Sequence, residues 1–294
     1  MKAETPAGQF DLNEVDLIEQ LVDLEQYPVN APGAPNYDAL VDRARAALAQ
    51  DGCVCFAQFI KAEFQSRLLA ETEQLESLAS FSSEEYTPYG TPPDNSFEAG
   101  HPRNKTHRTT SGSVTRDLIP ASTLIQQLYA DAYFQRFVAD CLDAEQLYPF
   151  RDPMRGLIIN AMPNDSTLGW HFDANEFVVS LMTRKAEQGG EFEYCPDIRK
   201  PGEENYNRVA AVLNGEREVV KQLDLQVGDI QIFKGRFSMH RVAPTIGHRH
   251  TVIFGYSREP GYIGSVESTL RIYGRYMQEH VDADPVRHSD GLSD

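Results

Sequence analysis

Three residues have the types and spacing of metal ligands. His171 and Asp173 lie two apart in the run Gly169-Trp170-His171-Phe172-Asp173. On an extended segment both side chains leave the same face, so an imidazole and a carboxylate can reach one ion. A second imidazole, His240 in Ser238-Met239-His240-Arg241-Val242, is remote in the chain and has to be delivered by a neighbouring strand. Two histidines and one carboxylate on one face of an octahedron suit iron(II) and leave three positions open. A 2-oxo acid can fill two of these and oxygen the third. Beyond His240, Arg249 opens the apolar run 251–256. A planar guanidinium there can pair in two-pronged fashion with the distal carboxylate of 2-oxoglutarate.

An HxD pair alone carries little weight, since chance supplies one in many chains. Its surroundings add to it. Gly189-Gly190 turns into the run Glu191-Phe192-Glu193-Tyr194, and Gly228-Asp229 turns into Ile230-Gln231-Ile232-Phe233, the strand that leads to His240. The other histidines are read as non-ligands. His248 and His250 flank Arg249 and, on a strand, face away from it. His101 and His107 belong to a segment read as an exposed loop.

The elements that must position these groups fall into two halves. Leu12, Val15, Ile18, Leu21 and Val22 follow helical spacing, as do Leu40, Val41, Ala44, Ala47 and Leu48, with Gly52 as the stop. A short strand is expected over 53–59 and helices over 62–78 and 122–142. Between them, residues 80–116 hold Pro88, Gly90, Pro92, Pro93, Gly100, Pro102 and Gly112, which predicts a long loop. Such loops are often functional, and its cations Arg103 and Arg108 and its His101 suggest a lid over a site. Past Pro149 short apolar runs alternate with turns, predicting strands over 156–162, 177–182, 191–194, 219–225, 229–233 and 251–256. One helix is expected over 205–213. The fold class expected is mostly β with flanking helices, with a barrel or jelly-roll core. The whole chain, 1–294, is read as one domain. Residues 1–150 form a mainly helical flank with the lid loop, 151–262 a core that holds the metal site, and 263–294 a C-terminal helix and a polar tail.

Composition narrows the function classes. The net charge of -17 disfavours nucleic acid and anionic membrane as partners. No window is apolar enough for a membrane span. Residues 1–13 lack the basic and apolar regions of a secretory leader. Four cysteines, Cys53, Cys55, Cys141 and Cys195, form no zinc-type CxxC pair and are too few for a disulfide framework, so reduced thiols and a cytoplasmic protein are expected.

A longer series of motifs resembles a known group. It runs from Asp152-Pro153 through the His171-Phe172-Asp173 segment, Gly190-Glu191-Phe192-Glu193-Tyr194, Pro196-Asp197-Ile198-Arg199, Glu204-Asn205-Tyr206 and Gly228-Asp229-Ile230-Gln231-Ile232-Phe233-Lys234-Gly235-Arg236 to His240-Arg241-Val242-Ala243-Pro244. This order is similar to that of bacterial iron(II)/2-oxoglutarate oxygenases related to the radical halogenases and hydroxylases of free amino acids, over about residues 100–262. The resemblance implies a double-stranded β-helix fold. It implies iron(II), 2-oxoglutarate and O2 as cofactors and cosubstrate, and a small free molecule as substrate, an amino acid or a derivative of one. In the halogenases a glycine replaces the metal carboxylate and chloride takes its place. Here that position is Asp173, which argues for hydroxylation. Leu168 and Ala174, near the first histidine, cannot pair with an ammonium, and this counts against lysine as the substrate.

Within that reading, Asn160 is expected beside 2-oxoglutarate. Arg103, His101 and Asp152 are expected at the substrate, Arg103 clamping a carboxylate and Asp152 accepting from an ammonium. Arg199 and Arg236 are either structural or at the mouth of the site. Trp170 packs either beside the metal or in the core. The same radical chemistry could end in desaturation or ring closure, and a jelly roll can also bind a metal or ligand without turnover. A zinc hydrolase is disfavoured because no recognisable general base accompanies the triad.

Overall fold

The strands of the C-terminal half alternate apolar and polar faces, and this alternation builds two facing sheets. The structure is a computed structural model that describes residues 17–283 and 290–292. The major sheet has seven strands, in the spatial order Cys53–Phe56, Ile230–Phe233, Val178–Arg184, Arg249–Phe254, Leu157–Met162, His107–Thr115 and Ser80–Tyr86. The minor sheet has four, in the order Lys221–Leu223, Phe192–Cys195, Met239–Val242 and Leu168–His171. All neighbouring strands are antiparallel. The result is a mostly β jelly roll with flanking helices.

Period-two alternation sorts each strand of the major sheet. Ile159, Val179, Leu181, Ile230, Ile232, Val252 and Phe254 face outward into the large core. There the helices Pro35–Asp51, Leu124–Ala130 and Ala132–Cys141 cover them with Leu40, Val41, Leu128, Phe134 and Phe137. The opposite positions look into the space between the sheets. Cys53, Met162 and Phe233 meet Phe192, Tyr194 and Val242 of the minor sheet there. Behind the minor sheet, the helix Tyr206–Leu213 closes a third cluster that contains Trp170, Cys195, Val209 and Met239. Trp170 therefore packs on the outer side, under the guanidinium of Arg241 at 4.9 Å, and away from the metal site.

Most expected elements form where the periodicity places them. The helix Pro35–Asp51 ends at Gly52, whose φ of 65° supplies the left-handed C-terminal stop. The helix expected over 122–142 is divided at Asp131, whose carboxylate accepts from the Phe134 backbone N–H at 2.8 Å and starts a second helix. Leu12 and Val15 lie outside the described residues, whereas Ile18, Leu21 and Val22 are buried.

Two expectations are corrected. Residues 80–116 are not one loop: Ser80–Tyr86 and His107–Thr115 pair as a hairpin along the edge of the major sheet, and only the segment between them is irregular. The glycine and proline content is concentrated in that connection, while the strands are polar on an exposed edge and lack an apolar alternation. It follows that residues before 150 supply three strands of the major sheet as well as helices. The C-terminal part is docked as far as it is described. His280, on the short helix Gln278–Asp282, is buried against Asp152, and Asp290 pairs with Arg236.

Candidate metal centre and its cavity

His171 and His240 are directly opposite one another across the pair Leu168–His171 and Met239–Val242. The same pair joins Leu168 to Val242, so Gly169 and Trp170 on one strand oppose the single residue Arg241 on the other. This is a β-bulge, which bends its strand and re-aims side chains. Leu168 and His171, three apart, both face the interior because of it. Gly169 lets the strand His107–Thr115 approach closely, since a Cβ there would stand 2.7 Å from the Cβ of His107 and 2.9 Å from the Arg108 carbonyl. Asp173 follows just past the strand and is held by its backbone N–H, which donates to the Gly235 carbonyl at 3.1 Å.

The three side chains converge. His171 Nε2 is 3.7 Å from Asp173 Oδ1, and His240 Nε2 is 3.5 Å from Asp173 Oδ2. The imidazole centroids are 4.1 Å apart, and the three donor atoms lie within 4.8 Å of one another. Each histidine is oriented through its other nitrogen: Nδ1 of His171 is 2.8 Å from the Gly169 carbonyl, and Nδ1 of His240 is 3.0 Å from the Ser238 carbonyl. A carbonyl can only accept, so each Nδ1 carries the proton and each Nε2 offers a lone pair to the shared point. Phe233 and Phe192 wall the His240 ring, with centroids 4.8 and 5.5 Å away.

Electrostatics keep these donors ready for a cation. Burial, followed by the neighbouring His240, pushes His171 down to about 4 from 6.5, so it stays neutral at ordinary pH. Burial raises the pKa of Asp173, but His240, His171 and Arg199 outweigh it, and its carboxyl ends below the usual carboxylate value. An ionised carboxylate beside two imidazoles is a donor set that fits a divalent cation.

Gly235 is a further determinant of this geometry. A Cβ on it would lie 1.7 Å from Asp173 Oδ2, so any side chain there displaces the carboxylate. The run Lys234-Gly235-Arg236 was visible, but nothing in its spacing shows which residue it touches.

Arg249 points between the sheets and is 3% exposed. Its Nη1 donates to Thr251 Oγ1 at 2.6 Å, while its Nε is buried without a hydrogen-bond partner. Among the described residues no carboxylate pairs with it. Burial lowers its pKa to about 10. Asn160, Ser180, Gln231 and Thr251 are buried on the same inner face, and Asn160 is the strand partner of Thr251. A buried cation among uncharged polar groups lacks the anion that would repay its desolvation. A dicarboxylate such as 2-oxoglutarate fits that requirement.

A cavity of about 790 Å³ opens from His171 and Asp173. Its walls include Ile158, Phe177, Ile253 and Tyr262, and its mouth includes Arg155, Arg271 and Glu267 on or beside the helix Val266–Tyr273. Tyr89, Gly90 and Thr91 of the hairpin connection also line it. Part of the segment expected to be a lid is therefore at the cavity, and the Pro88 carbonyl accepts from the Phe172 N–H at 2.8 Å.

The three residues expected at the substrate are placed elsewhere. Asp152 is fully buried and spends both oxygens on the protein. Oδ1 accepts from the Met154 and Arg155 N–H groups at 2.8 Å each, and Oδ2 accepts from Gly264 N–H at 2.9 Å, with His280 Nε2 at 3.2 Å. It is a turn residue that anchors the C-terminal segment and does not meet an ammonium. Arg103 lies behind Tyr89, 4.4 Å from its ring centroid, donates to Tyr206 Oη and pairs with Glu204. His101 stacks on Phe97 at 4.1 Å and accepts from the Arg103 N–H. Neither lines the cavity. Their charge and loop position were the only sequence signals, and both are absorbed by packing of the connection. Of the two arginines left open, Arg236 lines the cavity and Arg199 is buried against Phe172, 3.8 Å from its centroid. His248 and His250 point to the opposite side of the sheet from Arg249, beside Glu76.

The fold and site define a class, and comparison with known proteins agrees with it. AviO1 from Streptomyces viridochromogenes Tue57 superposes with a TM-score of 0.52 at 17% identity, over 74% of this chain and 95% of that one. The epimerase SnoN, solved in complex with Fe3+, alpha ketoglutarate and nogalamycin RO, superposes with a TM-score of 0.50 at 14% identity, over 74% of this chain and 84% of that one. The architecture is that of the 2-oxoglutarate/iron(II) oxygenases. Within it, the chain belongs to the family described as Halogenase D, whose model matches residues 37–262. No curated protein matches the sequence.

Proposed function

We propose that this chain is an iron(II)/2-oxoglutarate-dependent hydroxylase that acts on an unactivated carbon of a small free substrate, an amino acid or a derivative of one. The observation that carries the reading is the pairing of a two-histidine, one-carboxylate cluster with a buried arginine that has no carboxylate partner among the described residues. His171, Asp173 and His240 would hold the iron, and Arg249, with Asn160 beside Thr251, would hold 2-oxoglutarate by its distal carboxylate. When bound, iron and 2-oxoglutarate supply the oxygen-activating chemistry that breaks an inert C–H bond.

The chain's own residues do the positioning. Carbonyl contacts at Gly169 and Ser238 fix both histidine tautomers. Phe192 and Phe233 pack beside His240 and keep water from its side of the centre. The apolar walls Ile158, Phe177 and Ile253 would hold the reacting carbon of the substrate in a dry setting. At the mouth, Glu267 offers an anion for an ammonium, and Arg271 offers a cation for a carboxylate. This provision of both charges supports a zwitterionic substrate.

Hydroxylation is favoured over chlorination because Asp173 stands where chloride would have to bind, and its charge repels a second anion. The test is turnover with a panel of free amino acids and their derivatives, following succinate release and product mass with and without chloride. Substrate-dependent succinate release with a product heavier by one oxygen is expected. A chlorinated product from the wild-type chain would overturn the assignment of Asp173 as a ligand. Absence of succinate release with iron and 2-oxoglutarate bound would favour a binding protein without turnover.

A further inference from the structure

The strand that carries Arg249 toward the interior has a second cluster on its back. His248 and His250, two apart, leave the opposite side of the sheet and meet Glu76 of the 3-10 turn Glu76–Leu78. His248 Nδ1 is 2.8 Å from Glu76 Oε1, and His250 Nε2 is 3.3 Å from Glu76 Oε2. We propose that Glu76, His248 and His250 form a second divalent-cation site, suited to zinc and distinct from the His171–Asp173–His240 centre.

The placement of the His250 ring points to such an ion. Its side chain is fully buried. Thr72 Oγ1 lies 3.2 Å from His250 Nδ1 and occupies that side of the ring. His250 Nε2, on the other side, faces a carboxylate oxygen of Glu76 and has no hydrogen-bond partner. Two acceptors at 3.3 Å repel unless a proton or a metal ion stands between them. A metal ion satisfies both acceptors at once.

The donor set and distances suit such an ion. Two imidazoles and one carboxylate, with water as a fourth ligand, make a common four-coordinate zinc arrangement. Bonds of about 2.0 Å to a tetrahedral ion set its ligands roughly 3.3 Å apart, as His250 and Glu76 already are. His248, with 41% of its side chain exposed, has room to adjust toward the ion. Thr72 bonds the non-ligating nitrogen of His250, the usual way a metal-bound histidine is oriented. Arg184, the other cation facing His250, is neutralised by Glu73 at 2.9 Å. The ion would brace the strand on both sides of Arg249.

The metal-free full chain is titrated with zinc, and bound metal per chain is counted by mass spectrometry after gel filtration. Cobalt(II) is titrated in parallel, because four-coordinate cobalt absorbs far more strongly than the six-coordinate ion. Wild type should bind two equivalents, His248→Ala one, His171→Ala one, and the double variant none. The His171→Ala chain should keep the intense cobalt band, and Glu76→Gln should lose it. A wild-type chain whose single equivalent is lost in His171→Ala, or His248→Ala that binds as many as wild type, overturns the second site. Failure of the first centre would show separately, as unchanged stoichiometry in His171→Ala.

Discussion

Asp173 is held from two directions: its backbone by the Gly235 carbonyl, and its side chain by the space that Gly235 leaves empty. Gly235→Ala should therefore fold yet lose at least tenfold in iron affinity, because the carboxylate must turn away from the two imidazoles. Iron titration beside a circular-dichroism melt checks this; an unchanged iron affinity would show that the loop relaxes at no cost to Asp173. For Arg249, truncation to alanine should raise the 2-oxoglutarate requirement about tenfold or more, since a hydrogen bond to a charged group is worth roughly 1.5–3 kcal/mol. Lysine should recover only part of this, as it keeps the charge but loses the planar fork. The measurement is the concentration dependence of succinate release. His171 yields a pH prediction for the metal-free protein. Its folded pKa of about 4 lies below the ordinary 6.5, so the unfolded chain takes up the proton first. Its contribution to stability is complete above about pH 6.5 and drains away as pH falls toward 4. Melting temperature should consequently fall less steeply across that window in His171→Gln than in wild type.

At the scale of elements, the bulge and the C-terminal anchor decide the geometry. A regular strand over Leu168–His171 would turn Leu168 and His171 to opposite faces, and only the extra residue opposite Arg241 lets both face inward. The anchor is Asp152, which receives three backbone N–H groups and so ties the turn after Pro149 to the segment leading into the helix Val266–Tyr273. That helix forms one side of the cavity mouth. Asp152→Asn would replace one acceptor by a donor facing the Gly264 N–H. We expect a loss of about 1–3 kcal/mol in stability, with 2-oxoglutarate affinity unchanged. Urea unfolding and ligand titration together separate this from a role in binding substrate, which would instead leave stability intact.

For the whole molecule, the family and the proposed ligands bear on one another. The chain belongs to the Halogenase D family across residues 37–262, yet its proposed third ligand, Asp173, is a carboxylate. Asp173→Gly should open that position but yield little chlorination, because chloride also needs hydrogen-bond donors arranged around it, which the charge of Arg199 near Asp173 does not by itself supply. Mass spectrometry of products in high chloride is the check; efficient chlorination by the variant would show that the surroundings already suit an anion. No helix among the described residues is long and apolar enough to cross a membrane.

Local chemistry was legible in the sequence. The spacing of His171 and Asp173, the arginine opening a strand, the period-two runs after residue 150 and the glycine that stops the helix at Asp51 are all properties of a few adjacent residues, and the backbone expresses them directly. What needed the tertiary structure were relations between distant segments. That Gly235 makes room for Asp173, that a bulge re-aims His171, and that Glu76 meets His248 and His250 depend on which strands become neighbours. The substrate residues failed for the same reason. Arg103, His101 and Asp152 have the right chemistry, but a side chain's charge does not reveal whether the fold has already paired it, and Glu204, Phe97 and the Gly264 backbone had done so. The charged residues at the cavity mouth, Glu267 and Arg271, carry no local signal, because only the docking of the helix Val266–Tyr273 onto the sheet brings them to the candidate site.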